Sequence, residues 1–122
     1  MLYINKKTDM KMGEERRNFP RVDISFPVEC ELLPERKKIF YTVTKNLSVE
    51  GAKILTEEFF PKNSILRINL NLINEMVIAK TKVVWCNKEP YSERYQIGLY
   101  FLEINRKNKD KLKTLIDKVF HS

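Results

Sequence analysis

The chain has 122 residues, of which 43% are hydrophobic and 32% charged, and its formal net charge is +7 at neutral pH. That is the size of one domain, long enough to bury a core without metal or disulfide support. No apolar run approaches the ~20 residues of a membrane-spanning helix, the basic balance points to anionic partners, and Cys30 and Cys86 form no CxxC-type spacing.

Residues 1–15 are polar and aperiodic, which predicts a flexible arm or linker ahead of a folded domain spanning 16–122. The start of the chain carries no apolar core of a secretory signal, so the expectation is a cytoplasmic protein with reduced thiols. From Val22 the pattern changes. Val22, Ile24, Phe26, Val28, Cys30 and Leu32 alternate with polar positions, which predicts one long strand with a buried face, Cys30 included. Pro27 sits on the polar register and predicts an edge or a bulge there. Pro34 and the charged residues 35–38 form a turn. A second strand follows over 39–44, with Ile39, Tyr41 and Val43 on its apolar register, and Asn46 to Gly51 breaks it.

Residues 52–55 predict a short third strand, and 59–63 a loop with its apolar half tucked under the sheet. Leu66, Ile68, Leu70 and Leu72 mark the fourth strand, and Asn74-Glu75 a hairpin turn. Val77, Ala79, Thr81, Val83 and Trp85 share one face of the fifth strand, which places Trp85 on the core register. Residues 87–94 read as a polar loop, and Tyr95, Ile97, Leu99 and Phe101 as one face of the sixth strand. The period then changes: Leu112, Leu115, Ile116, Val119 and Phe120 form a helical stripe, with Asn105 or Asn108 available as its cap. Six short strands followed by one helix predict a mainly all-β fold, a six-stranded antiparallel β-barrel with a C-terminal α-helix packed against it.

Catalytic chemistry finds little support. The one histidine, His121, is next to last, and no nucleophile–base set can be assembled without it. His and Cys are too few for a metal cluster, adjacent carboxylates such as Glu57-Glu58 read as solvated surface, and no glycine-rich phosphate loop is present. The expectation is a non-enzyme with no cofactor and no metal.

Two short elements remain. In Arg16-Arg17-Asn18-Phe19-Pro20-Arg21, Arg17 and Arg21 stand four apart in a segment that Pro20 biases toward extended geometry. A planar guanidinium donates paired hydrogen bonds to a phosphate or to the O6/N7 edge of guanine, and its face stacks on a purine. In Asn46-Leu47-Ser48-Val49-Glu50-Gly51, Asn both donates and accepts, as a nucleobase edge requires, and Gly permits positive φ or a close backbone approach. Taken singly, a basic linker and an ordinary turn explain these segments as well.

Taken together, in this order and in a frame of six strands and a helix, they resemble the PilZ domain, whose signature is Arg-x-x-x-Arg followed by [Asp/Asn]-x-Ser-x-x-Gly. Arg17 to Arg21 and Asn46 to Gly51 match both at every defined position, and the resemblance runs over roughly residues 14–120. It also takes in Val83-Val84-Trp85 and Ile97 to Phe101 as the fifth and sixth strands.

The resemblance implies a cyclic di-GMP receptor. Arg17 and Arg21 would contact the ligand's phosphates and guanine faces, while Asn46, Ser48 and the backbone at Gly51 would read a guanine edge. Arg16, directly before the first motif, implies an intercalated ligand dimer. Trp85 matches a position that lies near the ligand in some members, although its register favours the core. The arm would be pinned by the ligand and so change contacts with a partner protein or domain. Family members act on flagellar motors, pili, polysaccharide synthases or gene regulators. Two rival readings are a PilZ-like adapter that binds protein and no nucleotide, and a small barrel for single-stranded nucleic acid. The first usually lacks one or both motifs, and this chain keeps both. The second calls for aromatics displayed among basic residues, whereas Phe26, Tyr41, Tyr95 and Phe101 fall on apolar registers, while Phe40 and Tyr100 do not.

Overall fold

A computed structural model describes residues 2–3, 19–34 and 38–121. The strands are β1 (Leu2–Tyr3), β2 (Arg21–Val22), β3 (Pro27–Leu33), β4 (Ile39–Leu47), β5 (Gly51–Thr56), β6 (Ile65–Asn71), β7 (Met76–Lys88) and β8 (Tyr95–Glu103), followed by helix α1 (Arg106–Phe120). β4, β3, β6, β7, β8 and β5 pair antiparallel in that order, and β5 pairs back onto β4, closing a six-stranded barrel. Closure leaves none of these six strands as a free edge. β1 and β2 pair with each other and extend from β4, so Leu2–Tyr3, at the start of the expected arm, lie against Arg21–Val22. No helix among the described residues is long and apolar enough to cross a membrane.

The barrel is filled as period-2 patterning dictates for most strands. Val28 and Cys30 of β3, Leu66, Ile68 and Leu70 of β6, Val77, Ala79 and Val83 of β7, and Ile97, Leu99 and Phe101 of β8 all point inward and are buried. Each full burial of a Val, Leu or Ile side chain contributes ~1.5–3 kcal/mol. Cys30 is wholly enclosed, and burial followed by the Glu29 charge pushes its thiol up to about 12. Helix α1 packs on β7 and β2 through Leu112 and Ile116, and Asn105 caps it, its Oδ1 accepting from the Asn108 amide at 2.7 Å.

Three sequence-level expectations need correction. The long first strand is interrupted: Val22 pairs with Leu47 and Pro27 with Val43, so one extra residue is accommodated between them. Thr44 holds this irregular stretch. Its amide donates to the Phe26 carbonyl (3.0 Å), while its hydroxyl accepts from the Phe26 amide (2.9 Å) and donates to the Ile24 carbonyl (2.7 Å).

The register of β4 is the reverse of its apolar pattern. Cross-strand partners share a face, and the inward Val28 and Cys30 stand opposite Thr42 and Phe40. Phe40 therefore turns in and stacks on Phe60 at 5.3 Å, while Ile39, Tyr41 and Val43 turn out, Tyr41 being 74% exposed. Finally, the β6–β7 turn falls one residue earlier than expected. Leu72 donates to the Glu75 carbonyl at 2.8 Å around Ile73-Asn74, and Ile73 adopts φ 80°.

Candidate functional site

Two bulges decide which side chains reach the outer wall. In β4, Thr44 pairs with Ile54 but Asn46 pairs with Lys53, so Lys45 is the extra residue. Alternation from the buried Thr44 would send Asn46 inward. The bulge inverts that parity, buries Leu47 instead, and turns Asn46 out. In β7, Val83 pairs with Leu99 but Trp85 pairs with Gly98, so Val84 is extra. Val83 is fully buried, and Trp85, which alternation assigned to the core, faces outward and is 38% exposed.

The result is a transverse row of outward positions on four adjacent strands: Asn46, Lys53, Gly98 and Trp85, each paired with the next. Three inter-strand steps of ~4.8 Å span roughly 14 Å. The indole of Trp85 lies against the Gly98 backbone, where a Cβ would stand 2.3 Å from the Trp85 Nε1. Glycine at 98 is thus what lets the ring lie flat across β8.

At the other end of the row, β2 brings in Arg21. Its guanidinium donates to Asn46 Oδ1 at 2.9 Å, joining the two motifs directly. Arg21, Asp23, Asn46, Lys53, Val84, Trp85 and Gly98 line one cavity of about 350 Å³, within the range of small-molecule sites.

Ser48 and Gly51 set this geometry from below. The Ser48 amide donates to the Gly51 carbonyl at 2.9 Å, and the Ser48 hydroxyl accepts from the Glu50 amide at 3.0 Å. That hydroxyl belongs to a residue only 1% exposed. Gly51 does not adopt positive φ. It is required because β8 passes so close that a Cβ would lie 2.0 Å from the Leu99 carbonyl oxygen.

Of the residues singled out in the sequence, Arg21, Asn46 and Trp85 therefore meet in one cavity, and Ser48 and Gly51 form the turn joining two of its strands. Arg16 and Arg17 lie outside the described residues. Sequence reading missed Lys53, Asp23 and Gly98. Lys53 was the most accessible of these, since it is the polar residue between the inward Ala52 and Ile54. The cavity offers two cations, Arg21 and Lys53, one carboxylate, Asp23, an amide able to pair with a base edge, and an indole plane. Among the described residues no cluster of His, Cys, Asp or Glu could hold a metal ion.

A family model for the PilZ domain matches residues 15–118. The chain belongs to the PilZ domain family. That family consists of ligand-binding effector domains. Solved structures with the same fold include the inhibitor of motility MotI/DgrA of Bacillus subtilis, with 20% identity, a TM-score of 0.75, and 85% of this chain and 51% of that one covered. The PilZ domain of YcgR from Escherichia coli, solved with c-di-GMP, has 14% identity and a TM-score of 0.67 over 87% of this chain and 92% of that one. The MrkH–c-di-GMP complex of K. pneumonia has 15% identity and a TM-score of 0.67, covering 87% and 52%. This PilZ chain thus spans about half the length of MotI and of MrkH. Among curated proteins nothing matches.

Proposed function

We propose that this PilZ domain is a non-catalytic cytoplasmic receptor for cyclic di-GMP that uses the outer-wall cavity as its ligand seat. The observation carrying this reading is the Arg21–Asn46 hydrogen bond in the cavity that Trp85 also lines. The two motifs that define the family's ligand chemistry meet there at side-chain contact distance.

Arg21, with Arg17 from the preceding segment, supplies guanidinium donors for the phosphates and a flat face for a purine. Asn46 offers an acceptor to guanine N1–H or N2–H and lacks the charge an aspartate would bring. Trp85 provides a stacking plane at the opposite end of the row, and Lys53 a second cation between them. Ser48 and Gly51 act chiefly by holding the turn that spaces Asn46 from Lys53. Arg16 favours two intercalated ligands per chain. Ligand capture re-sets the segment ahead of β2, which changes the surface offered to a motility or biofilm effector.

Isothermal titration with cyclic di-GMP, cyclic di-AMP and a short single-stranded oligonucleotide tests this. Saturable binding of cyclic di-GMP alone, at two per chain, is expected. Binding of none of the three would favour the adapter reading, preference for the oligonucleotide would favour the nucleic-acid one, and one ligand per chain would remove the intercalated pair.

A further inference from the structure

A second cavity among the described residues is larger than the one just described. A groove of about 780 Å³ lies where β7 and β8 meet the start of α1. Ile78 and Leu102 line it and are 49% and 41% exposed. Its rim carries Arg67, Lys80 and Lys109 against one carboxylate, Glu103. Lys80 is 3.6 Å from Glu103, Arg67 is 3.8 Å from Glu31, and Lys109 makes no ion pair among the described residues. Ile78 and Trp85 stand about 23 Å apart along β7 at ~3.3 Å per residue, so this groove is separate from the proposed nucleotide seat.

The apolar surface continues beyond the groove. Met76 shares the outward register of Ile78, and Ile73, 77% exposed, occupies the adjoining turn with φ 80°. The two-residue turn between β6 and β7 calls for positive φ at its first central position, which Ile73 supplies while its side chain stays in solvent. Apolar residues at the centre with cations around them make the composition of a protein-binding surface.

We infer that this groove docks an acidic amphipathic helix of a partner protein. The charge of the rim selects an acidic partner, and the net charge of +7 strengthens the attraction at long range. A second copy of this chain would bring the same basic rim and be repelled. Strand addition is closed off, because β7 is paired on both sides, with β6 and β8. Recognition must therefore run through side chains, as when a helix lays its apolar stripe into a groove.

The probe is a helical peptide with Leu at i, i+3, i+4 and i+7 and Glu elsewhere, compared with the same peptide carrying Lys in place of Glu. The Glu peptide should bind at least about tenfold more tightly by fluorescence anisotropy. It should perturb the amide resonances of residues 78–80, 102–105 and 109. Leu102→Glu and Lys109→Glu should each weaken it about tenfold with unchanged thermal melting, a difference of ~1.4 kcal/mol. Arg21→Ala should leave peptide binding intact without nucleotide, which separates failure here from failure of the receptor reading. The inference is overturned if neither peptide binds, if both bind equally, or if the perturbed resonances lie elsewhere. It is equally overturned by a dimer in sedimentation that Leu102→Glu dissociates, or by phosphatidylserine vesicles binding through this face where the Glu peptide does not.

Discussion

Arg21 and Asn46 are 25 residues apart in sequence, and the guanidinium of one donates to the side-chain oxygen of the other at 2.9 Å. In the ligand-free domain, the polar groups proposed to hold the nucleotide partly satisfy each other. Ligand binding is then an exchange of hydrogen bonds and not a simple gain, which lowers the net free energy but keeps both side chains in place beforehand. Arg21→Ala should weaken cyclic di-GMP binding about 10- to 100-fold, the range expected for charge-assisted hydrogen bonds worth ~1.5–3 kcal/mol. The melting temperature without ligand should change little, because the pair is only part-buried. Titration calorimetry and thermal unfolding on the same variant check both halves. A large loss of unliganded stability would assign Arg21 a structural role.

Gly98 and Gly51 are both sterically required, but for different neighbours. At Gly98 a Cβ meets the Trp85 indole, a side chain that can swing away. Gly98→Ala should therefore cost modest stability, ~1–3 kcal/mol, while shifting the emission of the protein's one tryptophan and weakening ligand binding. At Gly51 a Cβ meets the Leu99 carbonyl in the barrel wall itself. Gly51→Ala should be the more damaging to the fold. Urea unfolding followed by Trp85 fluorescence ranks the two, and a Gly51→Ala protein as stable as the parent would contradict the close approach.

The Cys30 thiol provides a pH test of the core. Its value is raised from 9.0 to about 12, principally by burial. Between those limits the unfolded thiol has lost its proton and the folded one has kept it. The folded state then binds more protons, so stability falls as pH rises from about 9 toward 12. Cys30→Ala should be less stable at neutral pH because of the cavity it leaves, yet should show a shallower decline over that window. Melting curves at pH 7 to 11 on both proteins measure the difference. At pH 8, iodoacetamide should label the half-buried Cys86 well before Cys30.

The legibility of the fold in the sequence follows the parity of its strands. β3, β6 and β8 alternate without interruption over their buried stretches, and Val28, Ile68 and Leu99 lie where period 2 places them. Trp85 and Asn46 do not, because each follows a bulge, and one inserted residue exchanges the faces of everything beyond it. No residue type announces those bulges: Lys45 and Val84 are ordinary strand residues. The motif spacing identified Arg21 and Asn46 as candidates, but not that they touch, since that contact depends on the extra residue between Val22 and Pro27. Lys53 went unnoticed because a lysine on an outward register is the commonest of surface features. Ile39, Tyr41 and Val43 misled for the opposite reason, being apolar residues on the solvent side.

That reversed strand supplies the sharpest check on the register. Thr44 is fully buried, and its hydroxyl accepts from the Phe26 amide and donates to the Ile24 carbonyl. Thr44→Val preserves the shape and removes the hydroxyl, leaving the buried Phe26 amide and the part-buried Ile24 carbonyl each short of a partner. It should destabilise the domain by ~1–3 kcal/mol, the usual penalty for an unsatisfied buried group. Tyr41→Thr, at a position whose apolar pattern predicts core, should change stability by less than ~0.5 kcal/mol, as exposed substitutions do. If β4 had the alternation its sequence suggests, the order would reverse, because Tyr41→Thr would then open a large cavity and Thr44→Val would be a surface change. Chemical unfolding of the two variants side by side distinguishes the registers without any ligand.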